Sequence, residues 1–445
     1  MFNFPKDLFT EVRIETTDST NYFIKNGEVE SNGNISVTGA IIRIFDGNMW
    51  YTSTTNDIDR IQSEIDSLAS LATPEASIYD HPMIKNFGSS KADLILFDGE
   101  NDIRKISRDQ REALINEYIS ACVDESIDEI KTYYVSYNSG HKIKEYYSSK
   151  GAEIKQDMQR CTLYFGYDIV VNGVTTSAAK IYRGLSFDCI EGKAQEIIAE
   201  RDRYLDYARN AVDIVPGDYT CVLSPVVTAM FTHESFGHKS ESDFMLNDKT
   251  LQEEWIIGKQ VGNEKVSICD NGSMVNNGFT PYDDEGNPAK ETWLIKNGVL
   301  TGRLHDSKSA SVLGEEITGN ARAQSYSCSP MVRMTNTYMA NGSDSPEKII
   351  SEVKDGLYVY GVNYGTGSST FTMQPNLCYH IHDGKLCEPV RANVITGSVF
   401  STLFEIDAVG NDLTIFDTYT CGKNGQSVPV SAGGPTIRVK KLTVN

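Results

Sequence analysis

The chain has 445 residues, 40% of them hydrophobic, enough to bury a sizeable core and to form two domains. Its 41 basic residues against 61 acidic ones leave a net charge of −20, which disfavours a phosphate backbone as partner because nucleic-acid binders concentrate cationic surface. The opening stretch "MFNFPKDLFTEVRIETTDST" does not read as a signal peptide, no apolar run is long enough for a bilayer, and the nine cysteines include no C-x-x-C pair; a cytoplasmic protein with reduced thiols is expected.

In chain order, "VRIETT" and Gly39 to Phe45 read as strands, and Asp57 to Ala72 carries Ile58, Ile61, Ile65, Leu68 and Leu71 at helical spacing. A second helix opens on the capping box Ser107-x-x-Gln110 and buries Leu114, Tyr118 and Ala121. "LYFGYDIVVNGVTT" reads as a strand pair turning at Asn172-Gly173. A third helix, from about Lys193 to Val212, presents Ile197, Tyr204, Leu205, Ala208 and Val212. Pro216-Gly217 then punctuates the chain and marks the expected domain boundary. Beyond it, "YTCVLS" is a strand, and Ser224-Pro225 starts a helix that runs to or past Gly237. Hairpin turns at Asn297-Gly298 and Asp383-Gly384 make the rest strand-rich, interrupted by a helix capped at Ser345, begun by Pro346 and stopped at Gly356. The fold class is α+β: an N-terminal α/β domain (1–215) and a strand-rich C-terminal domain (216–445) that carries the histidine-bearing helix.

The chemistry concentrates in "THESFGHKSESDF", Thr232 to Phe244. The zinc-peptidase signature H-E-x-x-H places its histidines i and i+4, about 40° apart on a helix, with the glutamate beside the metal-bound water. His233 and His238 are i and i+5, roughly 140° apart on an ideal helix, so they share a metal only if the backbone distorts, and Gly237 sits where that must occur. A catalytic zinc needs a third protein ligand. Candidates are Glu241, Asp243, His305, His380, His382, or Cys421 in "TYTCGKNGQSVPV", a thiol followed by glycine and a polar turn. The bland alternative is a polar helix end whose histidines compensate the dipole. His380 and His382, alternate residues of a strand, read as structural or solvent-facing.

The stretch also resembles the metal motif of the TldD/PmbA peptidases, whose HExxxH carries the same extra residue. The resemblance continues in order through "DDEGNPAKETWLIKNGVL" from Asp283, "TGNARAQSY" from Thr318, "RMTNTYM" from Arg333, "GLYV" from Gly356 and "CGKNGQSVPV" from Cys421, and more weakly around Arg43 and Gly47. It implies a metal-bearing TldD-type subunit, with His233, His238 and Cys421 as zinc ligands and Glu234 as general base. It further implies hydrolysis of unfolded or short peptides in an enclosed site, and a homodimer or a heterodimer with a metal-free TldE/PmbA-type homologue. Arg333 and Asn336 either hold substrate backbone or fix their own loop, and His305, expected at the surface, is a candidate oxyanion donor. "YGVNYGTGSSTF" departs from the family pattern in being shorter and less glycine-rich. The resemblance also allows a non-enzymatic reading, a peptide-binding or gyrase-regulating module; a third alternative is a different metal-dependent hydrolase, such as an amidase acting on non-peptide substrates.

Overall fold

A computed structural model describes residues 2–367 and 370–445; Ser368 and Ser369, within the departing segment, lie outside the described residues. The first half is organised by one seven-stranded sheet. Its strands are β1 (Phe9–Lys25), β2 (Glu28–Phe45), β3 (Trp50–Thr55), β4 (Lys91–Leu94), β5 (Ile130–Ser148), β6 (Glu153–Val171) and β7 (Val174–Gly184). They run in the order β3-β2-β1-β5-β6-β4, with β7 also on β6. Among the described residues of this sheet, only β4 and β6 pair in parallel. The alternation of helices and strands in the sequence therefore does not build βαβ crossovers; long antiparallel hairpins do the work. Those at 26–27 and 172–173 turn on an Asn-Gly pair with positive φ at both residues, the geometry that matches strand twist.

Helices α1 (Ile61–Ala69), α2 (Pro82–Lys85), α3 (Arg108–Cys122) and α4 (Ala194–Asn210) accompany this sheet. The Ser107 capping box forms as read, both of its hydrogen bonds being present. The predicted ends are overrun: α1 stops at Ala69 and leaves Leu71 exposed, Cys122 rather than Ala121 faces the core, and Val212 is an exposed residue of a short strand. At Leu71 and Val212 the apolar pattern outlasts the layer that could cover it. Ile115, Tyr118, Cys161, Phe165, Ile197 and Leu205 form the core between α3, α4 and the sheet.

The second half contains two larger sheets. In one, strands Asp355–Gly367, Gly217–Leu223, Ile437–Val444, Ile395–Ser398 and Thr370–His382 pair in that order, and the last pairs back onto the first, closing a ring. The other is six-stranded, and its edge hairpin joins Thr414–Lys423 to Gln426–Gly434. Helix α5 (Pro225–Thr232), capped by Ser224 with Pro225 in its first turn, packs between the ring and this sheet. The helix at Pro346–Ser351 ends before Gly356, which lies in a strand; a Cβ there would stand 2.4 Å from the Thr220 carbonyl oxygen, so glycine permits strand contact instead of stopping a helix. The two halves are joined by polar contacts: Lys144 reaches Asp284 at 2.7 Å, and Arg13 donates to the Ser325 and Cys328 carbonyls. Among the described residues, no helix is long and apolar enough to cross a membrane.

Candidate metal centre

Beyond Thr232 the helix does not end. His233–Gly237 forms one π turn, in which the His238 N–H donates to the His233 carbonyl, five residues back. That turn absorbs the extra residue and brings the i and i+5 side chains together. The two imidazole rings stand 5.2 Å apart, nearly perpendicular, rather than diverging as on an ideal helix. The distortion belongs to the whole turn. Gly237 itself has ordinary right-handed angles, φ −55° and ψ −57°, so it is not needed for its backbone freedom. It is needed for space, since a Cβ would lie 1.9 Å from Met334 Sδ.

Cys421, on strand Thr414–Lys423, presents Sγ 3.4 Å from His238 Nε2, and the ligand atoms of His233, His238 and Cys421 all lie within 4.8 Å of one another. Alternation along the same strand puts Tyr419 and Lys423 on the Cys421 face. The Tyr419 ring stacks on His233 at 6.1 Å, and its hydroxyl donates to the Val226 carbonyl of α5. On the opposite wall, strand Asp355–Gly367 approaches so closely that a Cβ at Gly367 would stand 2.4 Å from the Glu234 carbonyl oxygen. A groove of about 510 Å³, lined by His238, Lys239, Phe244, Leu251 and Gly367, opens at the cluster.

Glu241, weighed as a ligand, instead accepts a hydrogen bond from His238 Nδ1 at 3.0 Å. A carboxylate only accepts, so the proton sits on Nδ1, and in neutral His238 the Nε2 lone pair is directed at the cluster. Glu241 is fully buried, with Lys423 Nζ at 3.2 Å and Arg333 Nε at 3.9 Å. Burial alone would raise its pKa, but His238, Lys423 and Arg333 hold it below the usual carboxylate range. Burial likewise favours a neutral Cys421 thiol, yet hydrogen bonding and charge from His233 and His238 pull it down to about 5. The same contact works in reverse on His238: burial lowers its pKa, and Cys421 and Glu241 raise it to about 10. Without metal the pair is therefore a thiolate and an imidazolium. For Glu234, burial dominates and raises the carboxyl above its ordinary value, against the lowering influence of both histidines.

The other candidates are placed elsewhere. Asp243 accepts from Lys423 at 2.7 Å. Arg333 donates to the Cys421 and Gln426 carbonyls and so pins the cysteine strand. Asn336 spends both amide protons on the Asn271 and Met274 carbonyls and accepts from the Gly278 N–H, leaving no donor for a substrate. Contrary to the surface placement expected of it, His305 is buried, held by Ser242, Ser309 and Glu315. His380 and His382 pair with Asp355. Reading the sequence for ligands missed the supporting residues Tyr419 and Lys423, although their spacing of two from Cys421 on a strand was available as a signal.

Two imidazoles and a thiolate converging beside a glutamate define a candidate metal-dependent hydrolytic centre. Residues 216–445 match the model of the PmbA/TldA metallopeptidase C-terminal domain, and residues 10–73 match that of PmbA/TldA metallopeptidase domain 1. A zinc metalloprotease TldD homolog from Saccharolobus solfataricus is 32% identical across 80% of this chain and 82% of its own. A metalloprotease from Methanocaldococcus jannaschii is 29% identical across 97% of this chain and 95% of its own. Among solved structures, TldE from Thermococcus kodakarensis superposes with a TM-score of 0.76 at 16% identity, covering 98% of this chain and 96% of that one. A candidate modulator of a DNA gyrase from Thermotoga maritima superposes at 0.79 with 18% identity, covering 98% and 96%. These two likenesses show the fold. The chain belongs to the TldD/PmbA metallopeptidase family, and the shared name of its relatives supports a metalloprotease role.

Proposed function

We propose that the chain is a zinc-dependent peptidase in which His233, His238 and Cys421 hold the metal and Glu234 is the general base, with residues 1–215 and 216–445 as its two domains. The observation that carries this reading is the convergence of the three ligand atoms within 4.8 Å on the π turn that also bears Glu234. The donor set suits the ion: a soft thiolate and two imidazoles favour zinc, and buried His233 Nδ1 makes no hydrogen bond among the described residues, as a nitrogen kept for a cation would. When bound, the ion supplies Lewis acidity and acidifies water in its open position.

The chain's own residues do the rest. Glu234, its carboxyl raised above its ordinary value by burial, takes the proton of the attacking water and returns it to the departing amine. Glu241 fixes the His238 ring so that Nε2 faces the cluster. The groove beside His238 admits an extended peptide, and pairing of its backbone with a strand edge would bind short or unfolded peptides of many sequences. The protein acts in the cytoplasm as a homodimer or with a metal-free TldE/PmbA-type partner. The likeness to the Thermotoga protein extends to fold alone and lends no separate support to gyrase regulation.

The test is Glu234→Gln. It should fold and retain metal while peptide cleavage falls about 100-fold or more. Undiminished turnover removes the base, and wild-type protein that purifies without zinc and cleaves peptides in excess chelator removes the metal.

A further inference from the structure

We infer that the chain carries a second metal site, for a divalent transition ion such as Zn²⁺, Ni²⁺ or Co²⁺, formed by His380, His382 and Asp355 and oriented by Glu388. Three adjacent strands of the ring sheet supply it. His380 and His382 are alternate residues on Thr370–His382 and so share a face. Asp355 is the cross-strand partner of His382 on Asp355–Gly367, and Glu388 lies on Lys385–Arg391, which flanks the other side.

The ligand atoms of His380, His382 and Asp355 lie within 4.8 Å of one another. Asp355 Oδ1 is 3.0 Å from His382 Nδ1 and 3.5 Å from His380 Nε2. Ligand atoms about 2.0–2.1 Å from one tetrahedral ion are separated by roughly 3.3 Å, so these edges need almost no rearrangement. The imidazole ring centres are 3.9 Å apart, closer than the roughly 5 Å of two imidazoles on one tetrahedral ion, so the two exposed rings open slightly to share it. Glu388 provides an independent indication. Its Oε1 accepts from His380 Nδ1 at 3.0 Å, which puts the proton on that nitrogen and leaves Nε2, the atom facing Asp355, as the donor to a cation. Glu241 and His238 show the same arrangement at the first centre. Two imidazoles and a carboxylate without sulfur are borderline donors, suited to zinc and its late first-row neighbours rather than to Ca²⁺ or Mg²⁺.

The site is separate from the reacting centre. The strand that carries it packs Phe371 against Phe231 of α5, and His380 follows nine residues later, roughly 30 Å away at the rise of an extended strand. Its residues are partly or largely exposed, so an ion reaches them from solvent and ties the ends of three strands together. The role is to clamp this end of the ring, and it leaves the chemistry at His233 untouched.

The experiment is a Co²⁺ titration of the full chain after chelator treatment. The first centre, with its thiolate, gives sulfur-to-cobalt charge transfer, whereas the second gives ligand-field bands only. Wild type should take up a second equivalent that adds ligand-field absorption without further charge transfer and raises the unfolding midpoint. The double variant His380→Asn/His382→Asn should lose that equivalent while retaining the charge-transfer band and peptide turnover. Glu388→Gln should weaken the second equivalent tenfold or more, and it serves alone if the double variant is unstable. A single equivalent in wild type up to millimolar Co²⁺, or an unchanged second equivalent in these variants, overturns the site and shows the cluster to be an ion-pair group only.

Discussion

Gly237→Ala isolates the reason the helical turn between His233 and His238 contains a glycine. Because Gly237 has right-handed helical angles, alanine introduces no backbone strain, and at an ordinary helical position it would stabilise by about 0.5–1 kcal/mol. Here its methyl would lie 1.9 Å from Met334 Sδ and 3.0 Å from Cε, and Met334 is itself fully buried in the main core of the second half. Forcing one methyl into a filled core costs about 2 kcal/mol at mid-range, so after a helical gain of about 0.75 kcal/mol the variant should be destabilised by about 1 kcal/mol. The strain also has a direction. The Met334 N–H donates to Glu241 Oε1 at 3.3 Å, so displacing Met334 disturbs the carboxylate that orients His238, and metal affinity should fall together with stability. Urea unfolding in excess chelator measures the first effect and competitive zinc titration the second. A Gly237→Ala/Met334→Ala cycle then separates the clash from the rest. Met334→Ala alone costs about 2–5 kcal/mol, and the double variant should be about 1–2 kcal/mol more stable than the sum of the singles predicts. If Gly237→Ala matches or exceeds wild-type stability, or the two substitutions are additive, the steric explanation fails.

Glu241→Gln should lower metal affinity 10–100-fold, read by competition with a chromogenic chelator, because the amide orients His238 less firmly. It should also destabilise the metal-free protein, since Lys423 loses its fully buried counter-charge; an unchanged midpoint would contradict that pairing. The Cys421 thiol, lowered from 9.0 to about 5, stays ionised as pH falls until that value is reached. The ultraviolet thiolate absorbance of the metal-free protein, with that of Cys421→Ser subtracted, should therefore halve near pH 5; a midpoint near 9 would deny the imidazolium partner.

The residues that cluster at the candidate centre were legible in the sequence, but the backbone that unites them was not. Spacing showed that His233 and His238 diverge on a regular helix, and that something near Gly237 has to give. It did not show that the remedy is a π turn distributed over five residues, because that choice depends on Met334, nearly a hundred positions away, and on strand Asp355–Gly367 against Glu234. Local signals did better where their causes are local. Ser107 with Gln110, Ser224 with Pro225, and the Asn-Gly turns at 172 and 297 all appear as read, since each rests on hydrogen bonds or dihedral angles within a few residues. Helix ends at Leu71 and Val212 failed for the opposite reason: apolar periodicity persists where no neighbouring layer covers it.

The buried charges around the cluster fit one electrostatic requirement. In the proposed centre a thiolate would already bring a negative charge to the ligand set, so an uncompensated carboxylate nearby would weaken the Lewis acidity expected of the ion. Glu241 is nevertheless needed to hold His238, and its charge is countered on the spot by Lys423 Nζ at 3.2 Å, with Arg333 at 3.9 Å. Lys423 has a further anchor in Asp243 and the Val332 carbonyl, which fix its position on the strand that carries Cys421. The cation thus couples the two halves of the ligand set mechanically, strand to helix, while keeping the carboxylate's orienting hydrogen bond from adding its full charge to the centre. Both histidines lower the Glu234 carboxyl, but burial outweighs them and holds it above its ordinary value, as the proposed base, which must both accept and return a proton, requires.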